Sequence, residues 1–216
     1  MSPLAARLAS DFLPRFMVGM AVNFEIAALA LALGLGLGLL LAFARLSGRG
    51  LVGAAAVSII GVMRAAPTFV VMFFLLNAVP RDARLLGLPI ALSGVMMVAL
   101  SLVPYSAAYV ADNAAQAVRQ WRHGSSLGAL LFLPNVARAF CVLVMSSGAG
   151  AAIGVNEGIA VILRQSELLP SLGEKLVLFG VGVALFGIPL QAAFYLIRVL
   201  QAHLGRIMLR KKPGTS

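Results

Sequence analysis

Five stretches of the chain are apolar almost without interruption, and charged residues stand between them. The first lies between Arg15 and Arg45 and is interrupted only by Asn23 and Glu25. The second runs from Leu51 to Val79 and contains Arg64 and Pro67. The third goes from Leu85 to Ala111. The fourth lies between Arg138 and Arg164 and holds Glu157, and the fifth lies between Lys175 and Arg198 and holds Pro189. A helix that crosses the hydrocarbon core needs about 20 apolar residues. Every run reaches that length, so the pattern predicts an all-α protein, a polytopic membrane bundle of about five transmembrane helices. The first two runs are longer than one crossing requires, which predicts tilt, a break or an interfacial portion. Arg64 and Pro67 mark the break in the second, because proline removes a helix donor and collides with the preceding turn.

The segment before the first run has a different pattern. Residues 1–15 place Leu4, Leu8 and Phe12 on one face, which predicts an amphipathic leader lying on a membrane surface. The pattern of a cleaved secretory signal is absent from them. A transmembrane domain over 16–205 and a basic tail over 206–216 complete the predicted organisation.

Composition agrees with a bilayer as the outer solvent. Hydrophobic residues make up 61% of the chain and charged residues 11%, where soluble domains carry about 25% charged residues. The net charge of +10 comes from 17 Lys and Arg against 7 Asp and Glu. The basic residues sit mostly in the gaps between runs, so they set topology and attract anionic lipid head groups; nucleic acid is not the indicated partner. With the N-terminus outside, Arg45, Arg49, Arg64, Arg119, Arg122, Arg138, Arg198, Arg206, Arg210, Lys211 and Lys212 fall inside. Arg7, Arg15, Arg81, Arg84, Arg164 and Lys175 then fall outside. This excess predicts N-out and C-in, and an odd number of spans agrees.

The longest polar segment between runs is 112–134, a cytoplasmic loop where a soluble partner has room to dock. Ser125 or Ser126 is placed to cap a short helix within it. Leu127, Leu130 and Leu131 then share one apolar face, flanked by Arg119, Trp121 and Arg122, with Leu133 and Pro134 closing the segment.

The inventory of reactive groups points away from an enzyme. No catalytic, cofactor-binding or metal-ligating set is legible. His123 and His203 stand alone, there is no H-E-x-x-H, and no clustered aspartates offer a magnesium site. Cys141 is the single cysteine, so no intrachain disulfide forms. Ser146 and Ser147 have no histidine or lysine in another span to activate them. A phosphate-binding G-x-x-x-x-G-K-[ST] loop is missing, and Gly34-Leu-Gly36-Leu-Gly38 reads as a helix-packing ladder.

Polar groups inside the runs carry more information, since a carboxylate in lipid costs about 3 kcal/mol. Glu25 fits either an interfacial carboxylate that reaches water or a pathway residue. Glu157, beside Asn156 and Gly158, fits a place on a pathway or at a subunit interface. Ser146, Ser147 and Gly150 lie at helical spacing on one face of the same run. Arg64 lies near the inner surface, where it can snorkel.

The order of these features resembles the polar amino-acid family of ABC importer permeases, from about Phe16 to Leu200. "VGMAVNFEIAALALALGLGLGLLLAFARLS" resembles the family's first span and its closing Ala-Arg-Leu-Ser. "GVMRAAPTFVVMFFL" is similar to its Leu-Arg-Gly-Thr-Pro segment, with Arg64, Pro67, Phe73 and Phe74 on matching positions. "YSAAYVAD", "LPNVARAF" and "AAIGVNEGI" resemble the end of the third span, the Leu-Pro after the coupling loop, and the Val-Pro-Glu segment that holds Glu157. The coupling loop departs from the pattern. Its Glu-Ala-Ala element reads Ala115, Gln116 and Ala117, Trp121 stands where glycine is expected, and the segment is short.

The resemblance implies a passive permease subunit of the bacterial inner membrane. It implies ABC ATPase subunits docked beneath, a second permease subunit, and a periplasmic substrate-binding protein. The competing reading is a secondary transporter or small channel, against which the two halves of the chain show no repeat.

Overall fold

The structure is a computed structural model of the 216-residue chain. It describes residues 7–48, 50–79, 84–85, 88–89, 92–125 and 130–210, with backbone alone at 84–85, 88–89 and 207–210. A π-turn at Leu8–Phe12 leads into α1 (Leu13–Leu46). Then come α2 (Gly50–Ala65), α3 (Thr68–Ala78) and an antiparallel pair of two-residue strands, β1 (Arg84–Leu85) and β2 (Leu88–Pro89). α4 (Gly94–Arg122) and α5 (Phe132–Ser146) follow, and α5 tightens into a 3₁₀ turn at Ser147–Ile153. The short α6 (Gly158–Glu167) and the long α7 (Leu172–Arg210) complete the chain. Four of these helical stretches are long and apolar enough to cross a membrane, and the broken pair α2–α3 makes up to five spans. The all-α bundle of about five spans is therefore observed.

Local chemistry explains where the helices start, widen and stop. The Leu13 N–H bonds the Leu8 carbonyl, one residue further back than in an α-helix, just before Pro14. Proline has no N–H and its ring collides with the carbonyl four residues earlier, and the widened turn carries the helix past it. The stretch Leu8–Leu46 is consequently continuous. The expected surface-lying leader is not separate: Phe12 is buried and Leu8 packs beside it against protein. Leu4 lies outside the described residues. The break expected at Pro67 is present, with Ala66 and Pro67 outside both helices and Pro67 extended.

The third and fourth runs differ from expectation. α4 begins at Gly94, later than the apolar run, and continues to Arg122. Residues 112–122, expected as loop, are the last turns of this helix. It ends where Gly124 takes φ +81°. The Gly124 N–H bonds the Trp121 carbonyl at 2.9 Å and the Ser125 N–H bonds the Gln120 carbonyl at 2.9 Å. That pair of bonds is a Schellman closure, which needs a residue without a Cβ at the left-handed position. Ser125 therefore belongs to the end of α4 and not to the start of a docking helix. Ser126 and Leu127 lie outside the described residues. The fourth run is likewise split. Gly154 has φ +84°, its N–H bonds the Ala151 carbonyl at 3.1 Å, and the Val155 N–H bonds the Gly150 carbonyl at 3.0 Å. The spanning helix stops there, and Glu157 belongs to the start of α6.

The chain divides into two compact units. The first comprises Met1–Ala30, Pro67–Leu102 and Leu143–Leu190. One apolar cluster in it joins Phe12, Phe16 and Met20 to Val161, Ile162, Leu169 and Leu178. The second comprises Leu31–Ala66, Val103–Val142 and Gln191–Ser216. Its cluster is built from Leu41, Ala42, Ala56, Ile60, Ala108, Ala111, Ala114 and Ala115. Small residues dominate because no hydrophobic effect separates helix from lipid, so close backbone approach supplies the packing. Gly34 and Gly38 take part: a Cβ on Gly38 would sit 2.6 Å from the Ala107 carbonyl oxygen, and one on Gly34 would collide with Ser106. Large apolar side chains are correspondingly exposed, among them Phe43, Leu51 and Val62. Small residues inside and large ones outside are the arrangement a bilayer stabilises.

Candidate functional site

The first unit contains a buried polar node formed by Asn23, Ser147 and Glu157, each at 0% exposure. It grows from the start of α6. A helix leaves its first N–H groups without internal partners, and here each is satisfied by a side chain. The Gly158 N–H bonds Asn23 Oδ1 at 2.9 Å. The Ile159 N–H bonds Glu157 Oε2 at 2.9 Å, and the Ala160 N–H bonds Glu157 Oε1 at 2.9 Å. Glu157 is extended at the capping position, where a carboxylate also meets the positive end of the helix.

Asn23 ties this cap to two other elements. Its Nδ2 donates to Glu157 Oε2 at 2.8 Å and to Ser147 Oγ at 2.8 Å. Ser147 Oγ in turn donates to the Val144 carbonyl at 2.7 Å. Among the described residues, the partners of the Glu157 carboxylate oxygens are donors. α1, the end of α5 and the start of α6 are thus held by one connected network. In a buried place such a network is strong while complete and costly when one member is missing.

Close backbone contact makes the reach possible. A Cβ on Gly19 would lie 2.9 Å from the Glu157 carbonyl carbon and 2.9 Å from the Gly158 nitrogen. Gly19 precedes Asn23 by one helical turn, so this contact sets Asn23 against the cap. Gly19→Ala is expected to destabilise the protein by about 1–3 kcal/mol through overpacking, read as a lowered unfolding midpoint in detergent. An unchanged midpoint would show that α1 shifts freely at this level.

The sequence-derived candidates fall in different surroundings. Ser147, Gly150 and Glu157 are buried within the chain itself. Ser147 and Gly150 lie three apart in a 3₁₀ turn, where such residues eclipse; Ser146 is only half-buried and leaves that face. Asn156 is exposed and accepts from Arg164 at 3.1 Å. Glu25 is exposed and is not part of the node. Asn23 carries no charge and does not stand out in the sequence beside Glu25; in the structure Phe16, Met20, Asn23, Ala27 and Ala30 form one buried stripe of α1 at alternating spacings of four and three.

The second unit carries its own polar contacts. Arg45 Nη1 donates to Asp112 Oδ1 at 3.0 Å, and Arg64 Nη2 pairs with Asp112 Oδ2. Asp112 thus serves two guanidiniums, from α1 and α2, and Arg64 is held rather than free to snorkel. Asn135 Nδ2 donates to Asn113 Oδ1 at 2.8 Å, and Gln201 Nε2 donates to Asn135 Oδ1 at 3.3 Å, which cross-links α4, α5 and α7. Arg119, Trp121 and Arg122 are exposed on the last turns of α4. Across the connection, Leu130 is 41% and Leu133 72% exposed, Leu131 is half-buried and Pro134 is buried. Among the described residues, no three His, Cys, Asp or Glu side chains gather as metal ligands do.

No protein-family model matches the chain, and no curated protein matches it in sequence. A solved structure does match in fold: the crystal structure of an amino acid ABC transporter with histidines. The TM-score is 0.70, over 94% of this chain and 99% of that one, at 18% identity. The likeness extends over nearly the whole length of both chains and concerns the fold.

Proposed function

We propose that this chain is a permease subunit of a binding-protein-dependent ABC importer, moving polar amino acids or a related small solute. The observation that carries the reading is the full-length fold likeness to an amino acid ABC transporter chain. The missing phosphate-binding loop supports it, because such a subunit depends on a separate ATPase for energy. In this reading the chain is not itself an enzyme. It spans the bacterial inner membrane N-out and C-in, pairs with a second permease subunit, and receives solute from a periplasmic binding protein.

The roles divide between the two units. Asn23, Ser147 and Glu157 act as a positioning node that fixes α6 against α1. The exposed groups Arg119, Trp121, Arg122, Leu130 and Leu133 supply the contact with the ATPase. Arg45 and Arg64, both bound to Asp112, brace that end of the bundle. Glu25 and the break at Pro67 are the pathway candidates that the chain's own packing leaves open.

Purifying a tagged chain from its own cells in mild detergent tests the proposal. An ATP-binding-cassette polypeptide is expected to co-purify in stoichiometric amount, and vesicles holding the complex should accumulate a labelled polar amino acid only with ATP and a binding protein. A chain that purifies alone and passes solute without ATP would instead be a channel or secondary transporter.

A further inference from the structure

Two adjoining cavities open at the N-terminal end of the first span, within the first unit. One has a volume of about 280 Å³ and the other about 250 Å³, and Gln165 and Leu168 line both. The 39-residue stretch Leu8–Leu46 is about 58 Å long at 1.5 Å per residue, whereas the hydrocarbon core is about 30 Å thick. The stretch therefore extends beyond the core, and the charged residues Arg7, Asp11 and Arg15 put its first turns, which line the cavities, at the level of the lipid head groups.

The lining is divided by chemistry. The floor is apolar, formed by Leu8, Phe12, Leu169 and Leu178, with Leu168 68% exposed at the shared edge. The rim is basic, with Arg7 at the first cavity and Arg15 and Arg164 at the second. Asp11 is the single carboxylate among the lining residues, and it is already engaged by Arg15 at 2.8 Å and by Gln165 Nε2 at 2.7 Å. Among the described residues, Arg7 and Arg164 meet no carboxylate. Arg164 donates to the Asn156 amide, a neutral partner that orients the guanidinium without cancelling its charge.

We propose that this cleft binds one anionic phospholipid, with its head group at the basic rim to which Arg7 and Arg164 contribute and an acyl chain along the Leu8, Phe12 and Leu168 floor. Guanidiniums match phosphate oxygens in geometry and charge. The floor offers what an acyl chain needs and a soluble anion does not. The occupant would seal α6 and α7 to the start of α1 from the membrane side. The proposal stands apart from the transport reading, since it needs only a bilayer and this end of the bundle.

The test uses the full chain, delipidated in detergent and titrated by native mass spectrometry with phosphatidylglycerol or phosphatidylcholine. One copy of phosphatidylglycerol should bind in preference to phosphatidylcholine. Each rim arginine contributes about fivefold in affinity, so the double variant Arg7→Gln with Arg164→Gln should weaken that first binding roughly 25-fold. The control pair Arg198→Gln with Arg206→Gln removes the same charge from α7 and should leave it unchanged. Arg164→Lys keeps the charge and should bind far better than Arg164→Gln. Equal retention of the two lipids, equal losses in both double variants, or an unchanged rim variant would each overturn the site. Displacement by glycerol phosphate as effective as by the lipid would overturn the lipid as its occupant. All substitutions are at exposed positions, and an unchanged unfolding midpoint confirms that the fold is retained.

Discussion

Glu157→Ala is expected to lower the stability of the protein by about 2–4 kcal/mol. The loss has two parts. The cap itself contributes about 0.5–2 kcal/mol, and here it accepts from two N–H groups. Removing it also leaves the buried Asn23 Nδ2 with Ser147 as its one acceptor among the described residues, at about 1–3 kcal/mol. Glu157→Asp should fall between the two, keeping the capping oxygens at α6 and losing the reach to Asn23. Asn23→Ala should cost a similar amount, since it leaves the Gly158 N–H without its acceptor and takes a donor from Glu157 Oε2 and from Ser147 Oγ. The double variant Asn23→Ala with Glu157→Ala should then lose less than the sum, by 1 kcal/mol or so, because the two groups satisfy one another. Reversible unfolding in mixed detergent measures all four. Strict additivity would mean that Asn23 and Glu157 stabilise the protein independently.

The second large effect is expected in the second unit and rests on the proposed ATPase contact. Leu130 and Leu133 are exposed apolar side chains on either side of the entry to α5. Docked into a groove, each would contribute about 1.5–3 kcal/mol of burial. Leu130→Asp with Leu133→Asp replaces that gain with two charges that resist desolvation. The assembled complex should lose substrate-stimulated ATP turnover by tenfold or more, while the chain still inserts and folds, because neither side chain packs inside it. Full stimulation in the double variant would place energy transmission on the other permease subunit.

Some of this architecture is legible in one dimension. Asp112 shows the limit. Hydropathy marks where a helix leaves lipid, not where the helix ends. After Asp112 the chain reads Asn-Ala-Ala-Gln-Ala-Val-Arg-Gln-Trp-Arg, mostly strong helix formers, and α4 runs on through them until Gly124 stops it. Propensity held the signal that polarity hid. Gly154 is a different case. In an apolar run it reads as a small packing residue like Gly150, and its left-handed conformation emerges only once Val155 closes back on Gly150.

The number of spans, about five, and the break at Pro67 were determined by the sequence alone. They follow from local physics: the length of an apolar run against the thickness of a bilayer, and a missing N–H. The buried node was decided by tertiary structure. Between Asn23 and Glu25, charge favours Glu25 as the candidate, yet α1 turns Glu25 outward and puts Asn23 on the Phe16–Ala30 stripe. Its partners lie 124 and 134 residues away. Which polar group in a helix becomes buried depends on which face meets another element and how closely the backbones approach, here at Gly19. Neither quantity is a property of α1 by itself, so no reading of that helix in isolation contains it.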